Sequence, residues 1–449
     1  MQFEVTKEFL QEVTDLVQAK NDVVIHELLK EMHPADLAEV LDELGFEESI
    51  YLIRLLDSET TSGILEELDE DIRAKVLEAL TPEEIADEID ELDTDIAADI
   101  ISELPDERKD EVIAAIDDKE HAQDIVDLMR YEEDTAGGLM GKELISVNEK
   151  WSIRQTVKEM RRQAQELGEV YIVYVVDDED KLLGRLSLKS LLTVNANALV
   201  KDVYVDKIHY VRTTDDADDV AQIMQKYNLV VIPVIDQLGR LVGNINIDDV
   251  VDYIKEVADS NYQLASGLTD DVEADDTIME LVKGRLPWLI LGLIGGFMGV
   301  SILNGFSAAV SQYKELFFFA PLIAGMAGNA GVQSSAIIVQ GLANNIVKGS
   351  MWALFFKELK LSLINGLVVA LLVFTFSMIF DFGLLFSITV GLSLIAVILL
   401  ASLIGTFIPI ILDNRGIDPA LATGPFITTS NDILGMFTYF MLAKLILGF

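Results

Sequence analysis

The run Asp418-Pro419-Ala420-Leu421-Ala422-Thr423-Gly424-Pro425 leads to Asn431-Asp432 and then to the apolar residues 433–449. The stretch is long enough to cross a bilayer, and one carboxylate, Asp432, lies well inside it. A bare charge in hydrocarbon costs at least ~2.5–3.5 kcal/mol, so such a side chain normally faces a cavity or a pore. Thr428, Thr429 and Asn431, just before it, add hydroxyls and an amide. Gly424-Pro425 is expected to loosen the helix and free carbonyls nearby. The C-terminal part therefore reads as a helical membrane domain. The remainder reads as a device that surrounds the carboxylate and controls access to it.

Charge is distributed accordingly. The 449 residues hold 33 Lys and Arg against 76 Asp and Glu, a formal net charge of −43. From Leu286 onward the two signs balance, six against six, so the whole excess falls on residues 1–285. An acidic soluble half is thus joined to a neutral, oily half. So acidic a surface repels nucleic acid and anionic lipid and attracts cations. Most of these carboxylates are expected simply to be solvated. Some are expected to meet at domain faces, where a bound metal relieves their repulsion. Cysteine is absent, which excludes disulfides and thiolate metal sites. Residues 1–10 are polar and acidic with no signal-peptide core, so the N-terminus is expected in the cytoplasm.

Residues 1–130 show apolar positions at helical spacing with acids between them. Pro34-Ala35-Asp36-Leu37-Ala38-Glu39-Val40-Leu41 is echoed by Pro82-Glu83-Glu84-Ile85-Ala86-Asp87-Glu88-Ile89, with weaker copies at 59–68, 69–80 and 93–104. A Pro or an acid opens each unit, as a helix first turn prefers. Such repeats stack into a superhelix of short helices. His26, His33 and His121 stand apart and form no catalytic set.

Over residues 131–258 the period changes. Val170-Tyr171-Ile172-Val173-Tyr174-Val175-Val176, a turn at 177–180 and Lys181-Leu182-Leu183-Gly184-Arg185-Leu186 read as a strand pair. Val230-Val231-Ile232-Pro233-Val234-Ile235, then Asp236-Gln237-Leu238-Gly239 and Arg240-Leu241-Val242-Gly243-Asn244-Ile245, repeat it. An amphipathic helix precedes each copy, at 153–165 and 217–227. Two β-α-β-β-α units in tandem resemble a CBS-domain pair. CBS pairs often bind adenine nucleotides. Here Ser190 stands where that family often has Asp, and Asp249 of the second copy fits, so ATP binding and a purely dimerising scaffold both stay open.

Residues 259–285 form an acidic linker, with Asp270, Asp271, Glu273, Asp275 and Asp276, a short helix over 277–285, and Lys283 and Arg285 at the membrane edge. Five apolar segments follow, at about 286–306, 316–343, 357–380, 384–412 and 421–447. Lys348, Lys357 and Lys360 fall between the second and third, and Arg415 between the fourth and fifth. The positive-inside tendency then puts those loops and the N-terminus in the cytoplasm and the C-terminus outside. The second segment is interrupted by Gly325, Gly328 and Gly331, which predicts close backbone approach and a broken helix lining a cavity. Asn329 and Gln333, four apart, share a face; pore lining and interhelical hydrogen bonding are both open to them. Asp418 is open to a pore-mouth role or to capping the turn at Pro419.

A single carboxylate among amides, hydroxyls and carbonyls suits a hard cation. Mg²⁺ gives up water reluctantly and is usually held by one or two carboxylates with several waters retained, so one Asp per subunit doubled by a two-fold axis fits it. Mn²⁺ and Co²⁺ remain compatible with the composition.

The order of parts resembles the MgtE family of bacterial magnesium channels along the whole chain. The most specific residues are Tyr131-Glu132-Glu133-Asp134-Thr135-Ala136-Gly137-Gly138-Leu139-Met140, Gly328-Asn329-Ala330-Gly331-Val332-Gln333, and Asp418-Pro419-Ala420 with Asp432. The resemblance implies a multidomain membrane protein: an α-helical superhelical N-domain, an α/β CBS pair, a connecting helix and a five-helix transmembrane domain. It implies a homodimer in the cell membrane whose pore lies between subunits, with hydrated Mg²⁺ at Asp432 and Thr428 and Asn431 nearby. It further implies closure by cytosolic Mg²⁺. Asp95 and Asp99 match N-terminal sensor ligands, Asp249 and Asp252 face them, and Asp218, the Gly138 carbonyl and Glu256 contribute. Val332 stands where the family often has Asn, and Asn228 where an acid is common. The acidic run of the connecting helix is thinned to Glu256 and Asp259.

Other readings are a Mn²⁺ or Co²⁺ carrier and a membrane-anchored Mg²⁺ or nucleotide sensor that does not conduct. An enzyme is not expected, because no nucleophile–base set, P-loop or metal-hydrolase motif is present.

Overall fold

Ten short helices come first: α1 (Lys7–Gln18), α2 (Asp22–Leu29), α3 (Pro34–Glu43), α4 (Phe46–Ile53), α5 (Ser58–Glu67), α6 (Glu70–Ala79), α7 (Pro82–Ile89), α8 (Thr94–Glu103), α9 (Asp106–Ala115) and α10 (Lys119–Leu128). They belong to a computed structural model that describes residues 5–30, 32–164, 170–269, 272, 277–343, 347, 350–422 and 424–448. The linker acids Asp270, Asp271, Glu273, Asp275 and Asp276, together with Lys348 and Thr423, lie outside the described residues. The chain divides into two units, Met1–Ile254 and Lys255–Phe449.

Local chemistry explains where the helices of the first unit start. Thr81 and Glu84 form a reciprocal capping box around Pro82, which opens α7. Asp57 caps α5 through the Thr60 amide. Each helix is too short to be stable alone and survives by burying one face. Leu37 and Leu41 of α3, Ile64 and Leu65 of α5, and Ile85 and Ile89 of α7 supply that face. The stacking is regular: α3 packs on α5, α5 on α7, and α7 on α9. Arginines tie the stack, Arg54 to Glu84 and Arg73 to Glu103, each across thirty residues.

The tandem repeat read from the sequence is present in full. β1 (Ile145–Asn148), α11 (Ile153–Gln163), β2 (Val173–Val176), β3 (Leu182–Leu186) and α12 (Leu188–Thr193) make the first copy. β4 (Val211–Arg212), α13 (Ala217–Tyr227), β5 (Val231–Ile235), β6 (Leu241–Asn246) and α14 (Ile247–Ser266) make the second. In each sheet the first strand runs parallel to the second (Ile145 beside Val173, Val211 beside Val234), and the third runs antiparallel to it. Both central strands are buried throughout, which accounts for their unbroken apolar runs. Asn228 adopts a left-handed conformation (φ +50°) that closes α13, so an amide there has a backbone reason.

The second unit is helical: α15 (Ile278–Gly305), α16 (Ser307–Gln312), α17 (Glu315–Ala343), α18 (Met351–Ile379), α19 (Leu384–Asp413) and α20 (Gly424–Leu447). Two expectations are corrected. The short helix over 277–285 is not separate; it continues through Pro287 into α15. The second apolar segment is not broken; α17 is continuous despite Pro321 and its glycines. Gly328 and Gly331 serve packing instead. A Cβ at Gly405 of α19 would strike the Gly331 carbonyl of α17, so both backbones meet without side chains between them.

Four of the described helices, α15, α17, α18 and α19, are long and apolar enough to cross a membrane. α20 is not among them, because five consecutive polar residues, 428–432, dilute its N-terminal half. It packs against α15, α17 and α19 all the same. Tyr439 is buried there and donates to the Leu316 carbonyl at 3.1 Å.

Candidate metal sites

The first unit brings acids from three segments to one seam. Asp93 and Thr94 open α8, Asp95 follows, Glu143 precedes β1, and Asp248 and Asp249 open α14. Asp93 makes no capping hydrogen bond of its own. Glu143 caps α8 from outside, accepting from the Thr94 amide at 2.9 Å and from its hydroxyl at 3.0 Å. The Thr94 hydroxyl in turn accepts from the Lys142 amide at 2.9 Å. A Cβ at Gly141 would stand 2.7 Å from Glu143 Oε2 and 3.2 Å from Asp95 Oδ2, so this glycine is what lets the two acids close on the turn.

Crowding shows in the proton affinities. Burial, then the charges of Asp249 and Glu143, hold the Asp95 carboxyl well above its usual range. Burial, with Asp248, Asp93 and Asp252 around it, pushes Asp249 up to about 7 against a hydrogen bond from the Asn246 amide. Asp93 is raised by burial and by Glu143. Glu66 is raised by burial and by a set that includes Asp93, Asp248 and Asp252. Desolvation and like charge act together here, the pattern expected where a cation belongs. Among the described residues no group of three or more His, Asp or Glu side chains is placed to hold a metal ion.

The structure sorts the expected ligands. Asp95 and Asp249 meet in the seam, and Asp252 lies exposed one turn along α14. Asp99 and Glu256 are on exposed faces. Asp218 forms a second cluster with Asp216, Asp219 and Asp134, and the Tyr253 hydroxyl reaches its Oδ1 at 3.5 Å. Gly138 packs against the backbone of Glu132 and Glu133, where a Cβ would come within 2.6 Å of a carbonyl. Asp93, Glu143, Asp248 and Glu66 were not picked out by sequence. For Glu143 the available signal was its position directly after the 131–140 motif.

Beside the seam is a cleft of about 300 Å³ lined by Tyr171, Tyr174, Asn244 and Asn246, with Asp93, Glu143 and Asp248 on its wall. The Tyr174 hydroxyl and the side-chain oxygens of Asn244 and Asn246 are buried without hydrogen-bond partners. Such orphans are costly unless a ligand or water meets them.

In the second unit, Asp432 is half-buried on α20 and lies over Gly328 of α17. A Cβ at Gly328 would be 3.1 Å from Asp432 Oδ1, so the missing side chain makes room for the carboxylate. That oxygen is buried and has no hydrogen-bond partner. Asn329 and Gln333 are exposed on one face of α17, and Thr428 donates to the Gly424 carbonyl of its own turn at 2.9 Å. Asn431 does not face open space: it is 1% exposed and wedged against Gly331. Asp418 is exposed, and its Oδ1 accepts from the Ala420 amide at 2.7 Å, capping the short turn Pro419–Ala422.

Comparison with known proteins gives a consistent picture. A divalent cation transporter family model, MgtE, matches residues 320–442; the MgtE intracellular N domain matches 32–134, and CBS domains match 136–197 and 200–256. The magnesium transporter MgtE of Enterococcus faecalis is 34% identical over 331 residues, 74% of this chain and 73% of that one. The protein of the same name from Thermus thermophilus is 34% identical over 323 residues, covering 71% and 72%. Among solved structures, the cytosolic domain of the Mg²⁺ channel MgtE in complex with ATP is 32% identical with a TM-score of 0.52. It covers 54% of this chain and 99% of that chain. The soluble part of a magnesium transporter is 26% identical with a TM-score of 0.51, covering 56% and 99%.

Proposed function

The chain belongs to the MgtE family of divalent cation transporters, and we propose that it carries Mg²⁺ across the cell membrane as a homodimeric channel closed by cytosolic Mg²⁺. In this reading residues 1–130 wind as a superhelical N-domain, 131–258 are the CBS pair, 259–285 connect, and 286–449 form the pore domain with α20 as a fifth crossing. The N-terminal parts are cytoplasmic and the C-terminus is outside.

The observation that carries the reading is Asp432, an acid with an orphaned oxygen set over a glycine in an otherwise apolar bundle. An anchor for a non-conducting sensor needs no such group. Two such acids across a symmetry axis, with the exposed amides of Asn329 and Gln333, suit a hydrated Mg²⁺. Gating rests on the seam. Without a cation, Asp95, Asp249 and their neighbours repel and the packed arrangement is disfavoured; Mg²⁺ bridges them. α14 starts at that seam, and its far end meets the start of α20. A Cβ at Gly424 (φ +53°) would strike the Ala265 carbonyl, and one at Gly267 would be 2.5 Å from Pro425. A shift of α14 is thereby passed to the helix that carries Asp432.

The cleft with Tyr171 and its orphaned polar atoms fits a nucleotide base, which supports ATP as a ligand of the CBS pair. Asp93, Glu143 and Asp248 on its wall oppose a bare triphosphate, so Mg²⁺ would have to accompany it.

The test is growth and Mg²⁺ uptake in a magnesium-dependent bacterial strain, wild type beside Asp432→Ala. The expected result is uptake with the wild type and none with the variant at equal membrane abundance. Normal uptake by the variant refutes the pore role. Competition by Mn²⁺ and Co²⁺ in the same assay separates a Mg²⁺ channel from a broader carrier.

A further inference from the structure

The membrane unit encloses a second carboxylate. Glu358 lies near the start of α18 and is 9% exposed. Its Oε1 accepts a hydrogen bond from Ser334 of α17 at 2.8 Å and a longer one from Ser362 of its own helix at 3.4 Å. α18 and α19 touch where the Phe355 and Phe407 rings meet and where Gly366 meets Ile395. Glu358 thus lies level with Ser402 and Thr406 of α19, both buried. α17 crosses α19 at the same level, where Gly405 abuts Gly331. The three helices share a polar layer inside an apolar bundle.

Charge does not explain the layer. Among the described residues no Lys, Arg or His forms an ion pair with Glu358. α17 and α19 carry no titratable residue between Glu315 and Asp413 at their ends. α20 offers Asp432 and Lys444, and Lys357 and Lys360 of α18 itself are exposed. What Glu358 does visibly is hook α18 to α17. The N-terminal half of α17 is keyed to α19 and α20 by Leu316, Phe319 and Ile323, but beside Asp432 its seam is formed by Gly328 and Gly331, which offer no side chain to hold it, and Glu358 supplies a contact just beyond them. Ser334 is buried on the side that faces Glu358, while Asn329 and Gln333 are exposed on another.

We propose that Glu358 is a positioning residue for transport: through Ser334 it fixes the rotation of α17, and so the direction in which Asn329 and Gln333 are presented, by hydrogen bonding and not by charge. The proposal rests on the transport reading above. Glutamine keeps an oxygen that accepts both hydroxyls, so Glu358→Gln should transport like the wild type with an unchanged pH profile. Glu358→Ala and Ser334→Ala should each raise the apparent KM for Mg²⁺ about tenfold, the factor that matches loss of one buried hydrogen bond. Both should also narrow the preference for Mg²⁺ over Co²⁺, a readout that mere loss of stability would not move. Because both break one link, the double variant should be no worse than Glu358→Ala alone.

The experiment is uptake of Mg²⁺ and Co²⁺ by the full chain in vesicles, with folded protein quantified for each variant. Should Glu358→Ala fail to fold, Glu358→Gln and Ser334→Ala still decide the matter. A folded Glu358→Gln that is inactive overturns the proposal, since charge is then the requirement. Wild-type kinetics and selectivity in Ser334→Ala overturn it as well. If Asp432→Ala is inactive in the same vesicles, either failure leaves the transport reading standing; a fully active Asp432→Ala removes that reading itself.

Discussion

At the seam of the first unit, acids crowd together; in the membrane unit, acids stand singly among apolar side chains. Burial and then Asp249 and Glu143 raise the proton affinity of Asp95, burial with Asp248, Asp93 and Asp252 raises that of Asp249, and a cation among them relieves both penalties at once. Among the described residues, Asp432 and Glu358 have no like-charged neighbours to relieve. Their cost is desolvation, which only water, a passing ion or a hydroxyl can offset. In the proposed reading, crowded acids make a switch that responds to ion concentration. Isolated acids make fixed features: one with an unmet oxygen, one whose oxygen is met by two serines.

The sharpest way to break this contrast is at Asp432. Asp432→Ala and Asp432→Asn should reduce Mg²⁺ uptake to background while the seam keeps its Mg²⁺-dependent protection from protease. Loss of both properties together would mean that the two environments are not separable. Next in size is Asp95→Asn with Asp249→Asn. Neutral side chains remove both the repulsion and the ligands, so the midpoint of Mg²⁺-dependent protection should move by at least about tenfold, equivalent to ~1.4 kcal/mol of differential binding. An unchanged midpoint would take the seam out of the mechanism.

Proton concentration tests the same seam more gently. An acid whose proton affinity is raised on packing penalises the packed state as pH rises from its ordinary value, 3.8 for Asp249, to about 7. In Mg²⁺-free solution, protease resistance of the soluble half should therefore fall as pH rises toward about 7 and level off above it. With Mg²⁺ present the trend should reverse, because the ligands must be ionised to bind. Smaller still, Gly331→Ala should destabilise the membrane unit by about 1–3 kcal/mol, the usual cost of overpacking, since the new methyl meets the Asn431 amide. Thermal unfolding in detergent reads this. Asp418→Ala should cost at most about 1 kcal/mol as a lost cap and leave transport intact.

Much of the architecture was legible because its signals are periodic. The Pro34 and Pro82 repeats start helices α3 and α7, and the doubled strand pattern becomes two sheets of the same order. What pattern could not reveal was decided by packing in three dimensions. Gly325, Gly328 and Gly331 look like breaks in a helix, yet α17 runs through them, and Gly328 and Gly331 are contact points in the bundle. Asn431 sits beside Asp432 in sequence but points elsewhere, because neighbours on a helix are about 100° apart. Glu143 was missed because its role is to cap a helix forty-nine residues earlier, a relation no local window contains. Glu358 stands between Lys357 and Lys360 in sequence, and only its contact with Ser334 distinguishes it.

The coupling of the two environments is the centre of the account, and one flux measurement addresses it. Full-length protein in vesicles, with the acidic half outward, is given tracer Mg²⁺ at low and then millimolar Mg²⁺ on that side. Flux through the wild type should be high in the first condition and fall sharply in the second, and the Asp95→Asn, Asp249→Asn variant should lose that response. Flux that is indifferent to Mg²⁺ on the acidic side, or a variant that still closes like the wild type, would contradict it.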